Sequence, residues 1–133
     1  MRRRRAGEQD PETLGIYART WMDRYAESGE ELHLRRSRDL YARAFENAPR
    51  DYYPGINAAA KSVLLGDLPA AEAHAARVEQ LVGTAKREND YWMTATAAEV
   101  QLIKRNYAVA AELYQAAVAM APEERGSHES TWL

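Results

Sequence analysis

The sequence predicts an all-α fold of three antiparallel helical hairpins, with six helices stacked as a right-handed α-solenoid. Alanine is abundant whereas valine and isoleucine are sparse, which favours helices over sheets. A second observation is a pattern that occurs three times: a small residue, a small or aromatic residue four positions on, and a small or apolar residue seven positions on. Its copies begin at Ser37, Ala71 and Ala110, at intervals of 34 and 39 residues. Repetition at such intervals is typical of stacked helical hairpins.

The first hairpin is predicted from its caps and its apolar spacing. Asp10-Pro11-Glu12 suits a helix start, because aspartate caps free N–H groups and proline fits the first helical turn. An apolar stripe follows at helical spacing and consists of Leu14, Tyr17, Trp21 and Tyr25. Ser28-Gly29 is expected to end this helix, and a partner helix is expected over residues 30–48, up to Pro49.

The second and third hairpins repeat this plan. Helices are expected over 55–65 and from Leu68 to about Lys86, separated by Gly66 and Asp67. The third pair is expected over 91–104 and 107–121, with Asn106 as the C-terminal cap of the first helix and Pro122 as the end of the second.

These helices predict one repeat domain with two tails. The domain spans 11–122, with repeats at about 11–49, 50–86 and 89–122. Residues 1–10, with arginine at positions 2–5, are expected to form a disordered basic tail. Residues 123–133 are expected to form a polar tail or a partial capping helix.

The repeated pattern resembles the second helix of a tetratricopeptide (TPR) unit, whose period is about 34 residues. Four segments carry a more specific resemblance: Leu14-Gly15-x-Tyr17, Ala44-Phe45-Glu46-x2-Pro49, Gly55-Ile56-Asn57 and Tyr91-Trp92. They are similar to the TRAFs-binding domain, the TPR-like central region of apoptosis-signal-regulating mitogen-activated kinase kinase kinases, which also occurs in bacterial proteins. The resemblance covers about residues 12–122 and implies a regulatory, protein-binding helical scaffold.

Composition excludes several kinds of site. The chain has 133 residues, no cysteine and a formal net charge of −2. It therefore has no thiolate metal site and no overall positive field that would attract nucleic acid. No apolar run approaches the roughly 20 residues of a membrane span, and a cytoplasmic location is expected.

No catalytic, cofactor-binding or metal-binding residue is predicted. His33, His74 and His128 do not form a metal-binding pair. Ser127-His128-Glu129 is not a catalytic relay, because the side chains of adjacent residues diverge. Phosphate-binding loops and the G-x-S-x-G motif are absent from the sequence. A non-enzymatic protein is therefore expected.

The aromatic residues fall into two groups. Those expected at core or inter-helix positions are Tyr17, Trp21, Tyr25, Tyr41, Tyr107 and Tyr114. Tyr52, Tyr53, Tyr91 and Trp92 stand at the starts of front helices, which line the concave surface of TPR arrays. Of these four, Tyr53 and Trp92 occupy equivalent positions of the second and third repeats. Because large aromatic side chains are common interface anchors, they predict a partner-binding groove; alternatively, they seal the junction between repeats. The predicted groove residues are Tyr53, Ile56, Asn57, Ala60, Leu64, Trp92, Ala95, Glu99 and Ile103, with Arg19 at the edge.

The groove positions also indicate which partners would fit. A carboxylate clamp for acidic chaperone tails uses lysine, asparagine and arginine on the front helices. The corresponding positions here carry Glu12, Ile56, Ala60, Ala95 and Glu99. This pattern argues against chaperone-tail binding and favours an apolar or basic peptide, or a neighbouring helix of the same assembly.

The predicted function is a protein–protein interaction scaffold, a regulatory or signalling module that binds a peptide or helix in its concave groove. One alternative is a structural role, as a segment of a longer solenoid or as a self-associating array. A lesser alternative is an RNA-binding helical repeat, which only the arginines at positions 2–5 favour.

Overall fold

The computed structural model describes residues 10–83 and 90–120, which form three helical hairpins. The helices in this part of the chain are α1 (Pro11–Ser28), α2 (Glu31–Asn47), α3 (Tyr52–Leu64), α4 (Leu68–Val82), α5 (Tyr91–Ile103) and α6 (Tyr107–Met120). The described residues contain no β-strand. The main contacts join helices that are adjacent in sequence, with an additional contact between α3 and α5. The predicted all-α, TPR-like fold of six helices is confirmed.

Aspartate side chains cap four of the helices. Asp10, Asp51, Asp67 and Asp90 precede α1, α3, α4 and α5, and each carboxylate accepts a backbone N–H from the first turn at 2.9–3.2 Å. These contacts satisfy donors that have no partner within the helix. The same local chemistry therefore starts four of the six helices.

The small residues of the repeated pattern are buried where helices cross. Ser37, Ala71 and Ala75 are fully buried, and Ala110 is nearly so. The Ser37 Oγ donates a hydrogen bond of 2.7 Å to the backbone oxygen of Ala18 on α1. Small side chains let the helix backbones approach closely, which explains why the pattern recurs once in each hairpin.

The prediction that Tyr17 and Tyr107 are core residues is wrong. Tyr17 is 49 % exposed and Tyr107 is 63 % exposed. The buried side chains of α1 are Leu14, Ala18 and Met22, because the small Ala18 is the residue that meets α2. Tyr107 is the first residue of α6, ahead of that helix's buried positions. Of the other aromatics in this group, Tyr41 is buried, whereas Trp21, Tyr25 and Tyr114 are half-buried.

Two predicted helix ends also need correction. Helix α4 ends at Val82 instead of about Lys86. Gly83 adopts a positive φ of 71°, and its backbone N–H donates to the backbone oxygen of Glu79 at 2.7 Å. Helix α5 ends at Ile103, and the left-handed residue after it is Arg105 instead of Asn106. The two predicted tails lie almost wholly outside the described residues.

A polar network joins the second and third hairpins. Glu79 on α4 accepts hydrogen bonds from Gln101 Nε2 at 3.0 Å and from Lys104 Nζ at 2.8 Å. Gln101 in turn accepts a bond of 2.8 Å from Asn106 Nδ2. The hydrogen bond from Lys104 lowers the pKa of Glu79, so that this carboxylate stays ionised in the network.

Candidate functional site

A pocket of about 440 Å³ lies between α3 and α5. Five predicted groove residues line this α3–α5 pocket: Tyr53, Ile56, Trp92, Ala95 and Glu99. Its other lining residues are Asp51, Tyr52 and Thr96. The stacking of the hairpins therefore brings together side chains that lie up to 48 positions apart in the sequence, from Asp51 to Glu99.

A second pocket, of about 650 Å³, lies between α1 and α3. This α1–α3 pocket includes Glu12 and Arg19 of α1, and it shares Asp51 and Tyr53 with the α3–α5 pocket. The two pockets therefore adjoin at the start of α3. Together they form a groove across the front helices α1, α3 and α5, and Arg19 lies in the α1–α3 half of it.

Tyr53 and Trp92 are the second residues of α3 and α5 and occupy equivalent places in the groove. Tyr53 is 46 % exposed and Trp92 is 42 % exposed. The rings of Tyr53 and Tyr41 form a T-shaped pair with a centroid distance of 6.2 Å, and those of Trp92 and Tyr91 form one at 4.9 Å. Each ring is thus held by a neighbouring aromatic while much of its surface stays open, which favours a groove role over a seal between repeats.

Four of the predicted groove residues lie outside both pockets. They are Asn57, Ala60, Leu64 and Ile103. Asn57 is buried, and its side-chain Nδ2 donates a hydrogen bond of 3.0 Å to the backbone oxygen of Tyr53. Leu64 and Ile103 are the last residues of α3 and α5, whereas the α3–α5 pocket is lined from the first three turns of these helices.

Sequence reasoning missed Lys61, which is buried beneath the groove. Its Nζ donates to Asn57 Oδ1 at 3.0 Å and lies 5.5 Å from the centre of the Tyr41 ring. Lys61 is 3 % exposed and Glu99 is 4 % exposed. A lysine within the otherwise apolar run of α3, four residues after an asparagine, was the available signal.

Burial changes the protonation of both charged groups. Burial lowers the pKa of Lys61 to about 8, although the charge of Glu99 opposes this shift. Burial raises the pKa of Glu99 to about 8, and the charge of Lys61 opposes that shift in turn. The cause is the same for both, since a low-dielectric environment disfavours the charged form of either group.

The described residues contain no group of three or more His, Cys, Asp or Glu that could hold a metal ion. His33 lies against Trp21 and contacts Ser28 Oγ at 3.0 Å, and His74 has a buried Nδ1 without a hydrogen-bond partner. His128 lies outside the described residues. None of the helices that the structure describes is long and apolar enough to cross a membrane.

Comparison with known proteins adds a family match to this geometry. Residues 1–65, just under half of the chain, match the family model TPR-S, Tetratricopeptide Repeats-Sensor. No curated protein and no solved structure matches the chain. The matched segment includes the first hairpin and all of α3, and therefore the shared wall of the groove at Tyr53. Together with the three stacked hairpins, this match supports a TPR-like family for the chain.

Proposed function

We propose that this chain is a non-enzymatic protein–protein interaction module that binds a peptide or helix of a partner in the groove across α1, α3 and α5. The observation that carries the proposal is the pair of half-exposed aromatic side chains, Tyr53 and Trp92, on the walls of two adjoining pockets. Concave surfaces of helical repeats are typical binding surfaces, and aromatic residues in them are typical anchors.

The charges in the groove favour a basic or apolar partner. Asp10 and Glu12 line the α1–α3 pocket, and Asp51 lines both pockets. Glu99 lines the α3–α5 pocket and adds a negative charge when it is ionised. Arg19 is the cationic residue among the lining residues of the two pockets. An acidic chaperone tail would meet repulsion here, whereas a basic segment would be attracted.

A regulatory or signalling role in the cytoplasm is part of this proposal. The matching family model is described as a sensor. The resemblance to the TRAFs-binding domain points in the same direction, since that domain is a regulatory part of signalling kinases. Neither observation specifies the partner, so a test of the groove begins with peptides that are selected for binding to the protein.

A random peptide library displayed on phage, selected on the wild-type protein, tests the groove. Tyr53→Ala combined with Trp92→Ala should weaken binding of the selected peptides by about thirtyfold or more, since one aromatic anchor already contributes about 2 kcal/mol or more. Tyr17→Ala combined with Tyr107→Ala is the matched control, because both residues are exposed and lie outside the two pockets. Its affinity should equal that of the wild type. Equal binding by both double variants, or unfolding of the groove variant in circular dichroism, would refute the groove.

Self-association is a second candidate, and a specific observation favours it. Val63 and Leu68 flank the α3–α4 turn, Leu102 and Tyr107 occupy the equivalent places at the α5–α6 turn, and all four are 37–63 % exposed. Consecutive hairpins thus expose apolar residues at the same turn. Sedimentation equilibrium of the wild type and of the variant Leu68→Glu with Tyr107→Glu tests this candidate. A concentration-dependent dimer that the variant loses would support it, and a strict monomer would exclude it.

A further inference from the structure

The walls of the α3–α5 pocket are largely aromatic and apolar. Tyr52 and Tyr53 come from the start of α3 and Trp92 comes from the start of α5, while Ile56 and Ala95 add aliphatic surface one turn further on. The volume of about 440 Å³ lies within the range of small-ligand sites, roughly 300–1,000 Å³. The pocket therefore has room for one long side chain but not for a whole helix.

The charged residues of this pocket are both carboxylates. Asp51 is exposed, and Glu99 is almost completely buried. No lysine or arginine is among the lining residues. The nearby Lys61 lies beneath, with its Nζ bonded to Asn57 and close to the Tyr41 ring. A carboxylate thus borders a mainly aromatic pocket without a cation inside it.

This combination matches the chemistry of a guanidinium group. A planar cation is attracted to the faces of tyrosine and tryptophan rings, and it pairs with a carboxylate through two parallel N–H donors. Arginine meets both requirements in one side chain, and its long aliphatic stem suits apolar walls. We propose that the α3–α5 pocket receives an arginine side chain of the partner segment, stacked on the aromatic walls and paired with Glu99. The inference rests on the proposed function and specifies what its groove recognises.

The protonation of Glu99 makes the proposed pairing dependent on pH. The charged group that acts on Glu99 is Lys61 on α3, and Arg19 on α1 acts on Lys61 in turn. Because burial raises the pKa of Glu99 to about 8, this carboxyl is mostly protonated below that pH. An arginine that pairs with the ionised form must displace the proton. Arginine binding should therefore release a proton and strengthen as the pH rises from about 6.5 to about 8.5.

Nuclear magnetic resonance titration with single amino-acid probes tests this inference without knowledge of the partner. The probes are N-acetyl-arginine amide, the uncharged isostere N-acetyl-citrulline amide, and N-acetyl-lysine amide. The arginine probe should shift the resonances of Trp92, Thr96 and Glu99, with a dissociation constant in the millimolar range, roughly 4 kcal/mol of binding. The citrulline probe lacks the charge and the lysine probe lacks the planar fork, so the affinity of each should be at least about fivefold lower than that of the arginine probe.

Two glutamate variants complete the experiment. Glu99→Gln should reduce arginine affinity to the citrulline level and remove its rise with pH. Glu112→Gln, on the exposed side of α6 and outside both pockets, should bind like the wild type. Equal binding of the arginine and citrulline probes, equal binding of lysine, or no shift at about 50 mM arginine probe would each overturn the inference. The proposed function has its own test: it fails if the affinity of the library-selected peptides does not depend on Tyr53 and Trp92.

Discussion

Gly66 and Arg105 hold the same backbone position in consecutive hairpins, with φ angles of 78° and 68°. Each stands two residues after the end of a front helix. The N–H of the following residue donates to a helix carbonyl five residues earlier, at 2.9 Å in the second hairpin and 2.8 Å in the third. A left-handed conformation suits glycine, but it costs a residue with a side chain roughly 1–2 kcal/mol. The third hairpin thus ends its front helix with a strained residue.

Substitutions at Arg105 and Gly66 should change stability in opposite directions. Arg105→Gly should raise the free energy of unfolding by about 1 kcal/mol, because it relieves the strain. Gly66→Ala should lower it by about 1–2 kcal/mol through the backbone alone, since a Cβ there meets nothing within 4 Å. Urea denaturation of both variants measures the changes. Two changes of the same sign would show that the positive φ is not the cause.

Gly55 should tolerate no side chain, because α3 lies directly against Phe45 of α2. A Cβ at Gly55 would stand 2.7 Å from Cε2 and Cζ of Phe45 and 2.8 Å from Cγ2 of Val78. Both neighbours are fully buried and have no room to move. Gly55→Ala should therefore lower the free energy of unfolding by about 1–3 kcal/mol, measured by chemical denaturation.

Gly15 offers the matched control for this substitution. It also lies within a helix, but a Cβ there meets nothing within 4 Å. Gly15→Ala should leave stability unchanged or raise it by up to about 1 kcal/mol, because alanine is the better helix former. If both glycine variants lost stability equally, the close approach of Phe45 would not explain the effect at Gly55.

The sequence predicted the hairpins well because their signals are local. Each small residue of the repeated pattern is tied to its own helix crossing, as Ser37 is to Ala18, and a fixed spacing therefore reveals it. The aspartate caps are local in the same way. Tyr53 and Trp92 were identified as a pair because the repeat made them equivalent.

The charged part of the site was harder to predict because it depends on packing between hairpins. The only local sign of the burial of Lys61 is its place in an apolar run of α3, and Glu99 carries no such sign. Each is enclosed by helices from another part of the chain. Tyr17 shows the converse, since its helical spacing matched a core position while the smaller Ala18 made the contact. The spacing of apolar residues predicts a helix, but the packing of that helix against its neighbours determines which face is buried.

The burial of Glu99 should make stability fall as the pH rises from about 4.5 to about 8. Its pKa is raised from 4.5 to about 8 in the folded protein, so across this window the folded state holds a proton that the unfolded state has released. The stability from this proton is fully present below pH 4.5 and is lost as the pH approaches 8. Glu99→Gln should remove the fall, and urea denaturation at pH 5 and pH 8 measures it. A constant difference between variant and wild type over this range would contradict the assignment.

Lys61 should act in the opposite direction at higher pH. Its pKa is lowered from 10.5 to about 8 in the folded protein, so between these values the unfolded state holds the extra proton. Stability should therefore rise again above about pH 8, and the two groups together give the wild type a minimum near that pH. Lys61→Met should remove the rise, measured by urea denaturation at pH 8 and pH 10. A rise that persists in this variant would assign it to another group.

Two arginines on α2 should respond differently to replacement by lysine. Arg38 has a side chain that is only 13 % exposed, and its guanidinium donates to Ser62 Oγ at 3.1 Å and to carboxylates of Asp67 at 3.2 Å and Asp39 at 2.7 Å. A planar group with fixed donors reaches these acceptors together, whereas one ammonium does not. Arg38→Lys should therefore lower the free energy of unfolding by about 1–3 kcal/mol.

Arg35 on the same helix provides the comparison, because its ion pair with Glu31 is exposed. Exposed pairs contribute little, since water and salt screen them, and Arg35→Lys should change stability by no more than about 0.5 kcal/mol. Thermal unfolding of the two variants in parallel measures the contrast. Losses of equal size would mean that the links from Arg38 to Ser62 and Asp67 do not hold the second hairpin against the first. A loss confined to Arg38 would identify its guanidinium as a main polar link between them.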